Sequence, residues 1–310
     1  MDDTATVPTR FIGCDVGKAE IVVFDSASGK TTSLPNRADA LAAFAASLDP
    51  AALVVCEPTG GYEAALLDAM VAAGRAAHRA DARKVKAFIR SLGILGKSDA
   101  IDAKALAQYG RERHDRLTRW QPREQHRDQL QLLVSMRRDL VRQRVAHRNR
   151  RQAPGAAPVA ARLQRIIATL DAEIAGIRAL IDACDTLAQT VHTLTDIAGI
   201  GQTTAAQLTA LMPELGSLNR KQAAALAGLA PHPKQSGTNN AYRRTRGGRP
   251  EVKHTLFMAA LAAARHNPTL NTFYKRLISN GKKPIVALVA VMRKLITIAN
   301  ARLRDNLASI

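Results

Sequence analysis

Aromatic and acidic residues are both scarce in this 310-residue chain. Phe, Trp and Tyr together make up only 4% of the sequence, so stacking of bases on aromatic side chains is not expected to dominate any contact with nucleic acid. The 26 Asp and Glu residues are outnumbered by 45 Lys and Arg residues, which gives a formal net charge of +19. Such an excess predicts a polyanionic partner, and nucleic acid bound through its phosphates is the first expectation.

Cysteine is also rare, and the three residues Cys14, Cys56 and Cys184 have no spacing typical of a metal site. Each is expected to be a small buried hydrophobic residue in a reducing compartment. The sequence shows no N-terminal signal segment, and we identify no apolar run of transmembrane length. We therefore expect a cytoplasmic, nucleoid-associated protein without a membrane partner.

Four carboxylates stand out against this basic background. Asp15 and Glu57 each end a short apolar run that is typical of a buried strand, whereas Asp99 and Asp102 lie one helical turn apart. Carboxylates that converge from two strand ends and one helix suit Mg²⁺ or Mn²⁺, and paired ions of this kind promote nuclease or strand-transfer chemistry. Two simpler explanations stay open. Acids at strand ends are commonly solvated, and Ser98 would cap a helix whose first turn favours acids.

Residues 10–115 alternate between strand and helix patterns. Their order is three strands, helix, strand, helix, strand, helix, which is the order of the ribonuclease-H-like (RuvC-like) fold with its mixed α/β sheet. The predicted strands are Arg10–Asp15, Glu20–Asp25, Lys30–Leu34, Ala52–Glu57 and Ala76–Ala80, and the predicted helices are Arg37–Leu48, Gly61–Ala73 and Ala82–Leu92.

The segment 111–151 contains 13 arginines, no lysine and five acids. Arginine is the side chain best suited to bidentate phosphate contacts, which favours a helix facing nucleic acid over an ordinary solvated helix. The candidate contact residues on this helix are Arg137, Arg138, Arg142, Arg144 and Arg148.

A heptad series follows the helix break at Pro154–Pro158. Apolar residues recur in alternating steps of four and three from Leu163 to Val191, which is the pattern of a coiled-coil seam. As one helix, these residues would span roughly 43 Å. With the arginine-rich helix they are expected to form an antiparallel hairpin, and the seam serves either a helix pair within the chain or a dimerisation arm.

The C-terminal part, residues 193–310, is predicted to be a second, mostly helical domain with two candidate functional segments. Ile197–Thr204 resembles a helix-hairpin-helix turn, in which Gly199, Gly201 and Thr203 would approach a phosphate. A tight turn between packed helices explains the same glycines. Ser236 lies in a polar loop, 231–240, where serine is ordinarily a turn residue. Arginines that would stabilise charge on a phosphate follow it, namely Arg243, Arg244, Arg246 and Arg249.

Taken together, several segments in a fixed order resemble the DEDD transposases of the 110/1111-type insertion sequences. The resemblance covers nearly the whole chain. It rests on Ile12–Lys18, Cys56–Tyr62, Lys97–Ala103, Arg220–Gly228, Ser236-Gly237, Gly247–Arg249, Ala264–Pro268 and Ala290–Leu295.

The resemblance implies an enzyme that cuts and rejoins DNA. It assigns two divalent metal ions to Asp15, Glu57, Asp99 and Asp102, and it makes Ser236 a nucleophile that becomes joined to DNA. It further implies donor and target DNA, a structured non-coding guide RNA and a homo-oligomer, either a dimer or a tetramer. The expected domains are a RuvC-like catalytic domain at 1–115, a helical coiled-coil linker at 116–192 and a C-terminal domain with the serine at 193–310.

Three alternatives differ in chemistry. Site-specific DNA invertases share the implied architecture. A Holliday-junction-type nuclease would use a metal-activated water and leave Ser236 as a turn residue. An architectural DNA-binding protein would need the four carboxylates only for structure.

Overall fold

The computed structural model describes residues 7–122, 125–184, 188–236 and 239–307, without the side chains of 125, 234–243 and 307. The chain forms two compact units, Met1–Pro122 and Arg123–Ile310. The predicted linker and C-terminal segment therefore belong to one unit, and the three-part domain division stays a prediction.

The first unit is built on a five-stranded mixed sheet with the order β3-β2-β1-β4-β5. β1 pairs antiparallel with β2 and parallel with β4, so it lies at the centre of the sheet. The predicted order of strands and helices is confirmed. The elements are β1 (Arg10–Val16), β2 (Glu20–Asp25), β3 (Thr31–Pro35), α1 (Ala38–Ser47), β4 (Ala52–Cys56), α2 (Ala64–Ala72), β5 (Ala76–Arg79), α3 (Ala82–Ser91) and α4 (Asp99–Arg113).

Both faces of this sheet are covered, which is why β4 reads as an uninterrupted apolar run with all five residues buried. One face packs on α1 and α2 and includes Cys14 and Cys56. The opposite face packs on α3 and α4 and includes Phe11 and Val55. Because side chains alternate along a strand, residues 15 and 57 belong to the α3–α4 face.

The second unit begins with two long helices that pair antiparallel. Arg144 binds Asp171, and Arg151 donates to Gln164 closer to the connection between the helices, which fixes the direction. The unit contains α5 (Gln125–Arg151), α6 (Ala160–Asp182), α7 (Ala188–Thr195), α8 (Gln202–Leu211), α9 (Arg220–Leu226), β6 (Pro231–Ser236), β7 (Asn239–Thr245), α10 (Pro250–His266), α11 (Pro268–Ser279) and α12 (Pro284–Leu307).

The heptad series does not form one continuous helix. α6 ends at Asp182, and Cys184 beyond it is half-buried, so its prediction as a buried residue is wrong. Within α6 the seam residues bury against this chain's own unit, which supports the helix pair within the chain over a dimerisation arm. These buried residues are Ile167, Leu170, Ile174 and Ile177.

Two further expectations are corrected in the C-terminal part. Residues 231–236 and 239–245 pair as antiparallel strands, so the predicted polar loop is a β-hairpin. α12 contains a stretch, Pro284–Asn306, that is long and apolar enough to cross a membrane, contrary to the expectation that no such run exists. It packs in the core of this unit through Val291, Leu295 and Ala299, which accounts for its apolar composition.

Candidate active site and nucleic-acid interface

Asp15 and Glu57 come together because their strands are parallel neighbours. Cys14 on β1 is in register with Cys56 on β4. Asp15 directly follows Cys14, and Glu57 directly follows Cys56. Both are half-buried, whereas the two cysteines are buried on the opposite face. Burial raises the pKa of the Cys56 thiol to about 12, so this thiol stays protonated. The two acids lie side by side at the ends of the two neighbouring strands, on the face opposite to the cysteines.

Helix α4 brings the other two acids to the same face. Its first residue is Asp99, and the hydroxyl of Ser98 accepts the N–H of Ile101 at 3.3 Å as the predicted N-cap. The helix crosses β1 at Gly13 so closely that its backbone leaves no room for a side chain there. A Cβ at Gly13 would lie 1.9 Å from the carbonyl oxygen of Ala103. Glycine is therefore required for α4 to approach the sheet this closely.

The four acids Asp15, Glu57, Asp99 and Asp102 are here called the carboxylate cluster, and each lies within electrostatic range of at least one of the others. Burial raises the pKa of Asp15, and the charges of Asp99 and Asp102 raise it further. Burial also raises the pKa of Glu57, with Asp102 and Asp15 adding to the effect. Like charges held together in this way are typical of a site that a cation completes.

Two lysines oppose this negative potential. The charge of Lys97 lowers the pKa of Asp15, and that of Lys86 lowers the pKa of Glu57, although neither outweighs the rise. Sequence reasoning singled out neither lysine as functional. Their exposed side chains at the rim of the carboxylate cluster suit a phosphate, and only the folded arrangement reveals that proximity.

The arginines predicted on α5 are mostly engaged within the second unit. Arg144 and Arg148 both bind Asp171, at 2.8 and 3.2 Å. Arg138 lies 3.3 Å from Glu251, and Arg142 pairs with Asp139. Pairs at an exposed surface contribute little to stability, so a phosphate can replace the carboxylate.

Arg137 differs from these residues because its Nε is buried without a partner. Burial lowers the pKa of Arg137, and the charges of Arg178 and Arg144 lower it further. Arg137, Arg138 and Arg142 line one groove of about 670 Å³ together with Thr203 at the start of α8. The structure thus brings three predicted arginines and one residue of the predicted phosphate-binding turn to a single surface.

The two glycines of that turn have different environments. Gly199 has a φ of +107°, and a Cβ there would meet the Ala263 side chain at 2.5 Å, so close packing against α10 explains this glycine. Gly201 is the N-cap of α8, no side chain caps the helix there, and the space around it is open. The turn retains an accessible helix start at Gly201.

Comparisons with known proteins agree with this geometry. Residues 191–275 match the transposase IS116/IS110/IS902 family, and residues 12–153 match the DEDD transposase of IS110 type. The chain is 30% identical over 82% of its length to a pilin gene-inverting protein of Moraxella lacunata, covering 80% of that protein.

The chain belongs to the IS110-type transposase family. A pilin gene-inverting protein of Moraxella bovis is 32% identical over 72% of the chain and 70% of its own length. An IS110 protein of Streptomyces coelicolor is 35% identical over 36% of the chain and 28% of its own length. Enzymes of this family cut and rejoin DNA, and this transposase is such an enzyme with DNA as its substrate.

Family membership also implies a divalent metal ion. Within the described part of this transposase, no group of three or more His, Cys, Asp or Glu side chains is arranged to hold a metal. The carboxylate cluster nevertheless fits such an ion in its donor chemistry, because four hard oxygen donors share one face and repel one another.

Ser236 is the last residue of β6 and pairs with Asn239 of β7, so it lies at the tip of the hairpin. Its side chain and that of Arg243 are outside the described residues. Arg244, near the end of β7, and Arg246, just after that strand, are both exposed.

Arg249, in contrast, is held within the fold of the transposase by hydrogen bonds. Its guanidinium binds both carboxylate oxygens of Glu214, at 2.8 and 2.5 Å, and the carbonyl oxygen of Leu211 at 2.6 Å. Gly248 beside it crosses Gly228 so closely that a Cβ would lie 2.2 Å from the Gly228 nitrogen. A structural role therefore explains both residues.

Proposed function

We propose that the carboxylate cluster binds divalent cations, Mg²⁺ or Mn²⁺ and two in number, at a scissile phosphate, and that Ser236 attacks this phosphate. The observation that carries the proposal is that the four acids lie at the ends of β1 and β4 and at the start of α4, near enough for the charge of Asp102 to act on both Asp15 and Glu57. These carboxylates lie near one another and repel one another, although the chain as a whole has a net charge of +19. The strand order β3-β2-β1-β4-β5 supports a ribonuclease-H-like identity for this domain.

The proposed reaction exchanges one phosphodiester bond for another. The Ser236 Oγ gives up its proton and forms a bond to phosphorus, and the leaving strand oxygen departs and takes up a proton. The hydroxyl at the end of an incoming strand then attacks the same phosphorus and releases the serine. When bound, the divalent cations neutralise charge on the phosphate. Lys86 and Lys97 are placed to contribute to the same effect.

We propose that α5, the groove beside it and the exposed Arg244 and Arg246 bind nucleic acid. The half-buried Arg137 and the open helix start at Gly201 support this assignment. The partners are donor and target DNA together with a structured non-coding guide RNA. Arg249 is left out of this surface because its guanidinium binds both carboxylate oxygens of Glu214 and the carbonyl oxygen of Leu211 at once.

The proposed assembly is a homo-oligomer, a dimer or a tetramer. The hairpin of α5 and α6 keeps large apolar side chains on its outside even though its inner seam is filled. Leu132 is 69% exposed, Leu180 58% and Met136 51%. Residues of this size at the surface of two adjacent helices favour contact with a second copy.

The biological reaction is proposed to be transposition, with inversion as the second candidate. Two relatives that match most of the chain are pilin gene-inverting proteins, which is the observation that favours inversion. Both reactions need the same chemistry at the phosphate. A plasmid carrying the element ends in inverted orientation distinguishes inversion of the segment from its insertion elsewhere.

The metal-site proposal is tested by Asp102→Asn, because Asp102 acts on both Asp15 and Glu57. The variant is expected to lose strand cleavage in Mg²⁺ and to keep duplex binding, which depends on the basic surface. Asp68→Asn removes a carboxylate from the exposed face of α2 and is the matched control with unchanged cleavage. Full cleavage by Asp102→Asn would remove that residue from the site.

A further inference from the structure

The segment that follows Glu57 is folded around one buried carboxylate, that of Glu63. Glu63 is only 3% exposed. Its Oε2 accepts the backbone N–H of Thr59 at 2.9 Å and that of Gly61 at 3.0 Å, and its Oε1 accepts the Nε–H of Arg79 at 2.9 Å. Gly61 adopts a φ of +101°, which favours glycine. The conformation of the segment is therefore set by Glu63.

The last part of this segment, at Tyr62, is linked by hydrogen bonds through Asn36 to the residues that follow Asp15. The Nδ2 of Asn36 donates to the carbonyl oxygen of Tyr62 at 3.2 Å and to that of Gly17 at 2.9 Å. Gly17 lies two residues after Asp15. The segments that continue from the two strand-end acids are thus joined through one amide.

An ordinary role in helix stability does not account for Glu63. It occupies the N-cap position of α2, yet its side chain makes no capping hydrogen bond to that helix. The hydrogen bonds that its carboxylate accepts from Thr59, Gly61 and Arg79 point back to the preceding segment or across to β5. Burial opposes its charged form, but the N–H groups and the charge of Arg79 outweigh burial and lower the pKa of Glu63. A buried charge is costly to keep unless it is paired in this way.

We propose that Glu63, held by Arg79, is a positioning residue that presents Glu57 to a divalent cation. The inference rests on the proposed metal site. Glu63 itself does not touch the metal or the substrate. Its carboxylate fixes the backbone two and four residues after Glu57, at Thr59 and Gly61. Groups that orient metal ligands commonly change metal affinity by about 10- to 100-fold when replaced.

The test measures binding of Mn²⁺ alone to the full chain by electron paramagnetic resonance, together with DNA cleavage at increasing Mg²⁺. Glu63→Gln keeps the size of the side chain but removes its charge and one acceptor oxygen. We expect Mn²⁺ binding that is about 10- to 100-fold weaker, and cleavage that high Mg²⁺ restores. Glu57→Gln is expected to lose binding without such rescue, and Asp68→Asn to match the wild type.

Two controls separate positioning from folding. Leu48→Ala lowers the stability of the same core and should leave Mn²⁺ affinity unchanged, with thermal unfolding measured by circular dichroism. Arg79→Gln alters the partly exposed partner of Glu63 and should weaken Mn²⁺ binding several-fold. It decides the question if Glu63→Gln does not fold.

The possible failures are distinguishable. If the wild type does not bind Mn²⁺, or Glu57→Gln binds it normally, the metal site itself is wrong. If Glu57→Gln loses Mn²⁺ while Arg79→Gln and any folded Glu63→Gln bind it like Asp68→Asn, the positioning role is overturned, whatever their melting temperatures.

Discussion

Gly13→Ala is the substitution that most directly perturbs how the fold assembles the carboxylate cluster. The added methyl carbon would lie 1.9 Å from the carbonyl oxygen of Ala103 and 2.5 Å from the nitrogen of Ala107, both backbone atoms of α4. No side-chain rotation relieves contacts with backbone. The helix must therefore move away from β1 by at least about 1 Å to reach an ordinary contact distance.

The displacement has two expected consequences. Overpacking of this kind lowers the free energy of unfolding by about 1–3 kcal/mol. Because α4 carries Asp99 and Asp102, the shift also moves them relative to Asp15, and a misplacement of about 1 Å can cost on the order of 100-fold in rate. The assay is cleavage of labelled DNA at saturating protein and Mg²⁺, with circular dichroism melting in parallel.

The same substitution at two other glycines calibrates the effect. At Gly110 the new methyl group would meet a side-chain carbon of Val55 at 2.8 Å, a longer approach and one to a side chain instead of to backbone, so a smaller loss is expected. At Gly176 within α6 nothing lies within 4 Å, and Ala should raise helix stability slightly. Wild-type cleavage and melting of Gly13→Ala would refute the close packing of α4 on β1.

Three further substitutions test other parts of the structure. Asp25, bound by Arg10 with its pKa lowered to about 2, should add about 1 kcal/mol of stability after allowance for solvent screening. This contribution is present above the unfolded pKa of about 3.9 and is lost as the pH falls toward 2. In urea unfolding, the stability difference between the wild type and Asp25→Asn should shrink accordingly, and a difference that does not change with pH would contradict the pairing. Ile174→Asp places a charge in the seam of α5 and α6 and should cost several kcal/mol, lowering the melting temperature without changing the mass seen by light scattering. A smaller species with unchanged melting would instead make the seam an intersubunit contact. Arg249→Gln should lower stability in urea by about 1–3 kcal/mol because it breaks a charge-assisted pair with Glu214, with little effect on DNA affinity in filter binding. Unchanged stability with weakened DNA binding would instead make Arg249 a phosphate ligand.

The sequence was sufficient to predict the first unit because its signals are local. Apolar runs ending in Asp15 and Glu57 carry strand and site information in the same few residues, and Ser98 marks the start of α4. The observed strands and helices of this sheet lie within a few residues of the predicted ones. The parallel pairing that makes the two acids neighbours follows from the order of the elements.

The second unit was harder because its determinants are not local. The heptad pattern continues through Cys184, but α6 ends at Asp182, since periodicity records which face is apolar and not where the chain turns. The hairpin of β6 and β7 is held by backbone pairing in a polar segment, so it lacks the apolar alternation that marks a strand.

Contacts between residues far apart in the sequence could not be predicted from it either. Arg249 belongs to a run that looks suited to phosphate, and its pairing with Glu214, 35 residues earlier, depends on the folded chain. The dependence of Glu57 on Glu63 and Arg79 is of the same kind, although the adjacent Gly60 and Gly61 were a signal that the intervening backbone is constrained.

The central claim, that this transposase joins DNA to Ser236 at a metal-dependent site, is tested most directly on a denaturing gel of labelled DNA after reaction in Mg²⁺. The wild type should give a protein-linked DNA band, and Ser236→Ala should give neither that band nor recombinant product while it still binds DNA. Thr238→Ala, two residues along the chain, is the control that should keep both. A protein-linked band or normal recombination with Ser236→Ala would contradict the claim and favour hydrolysis by water.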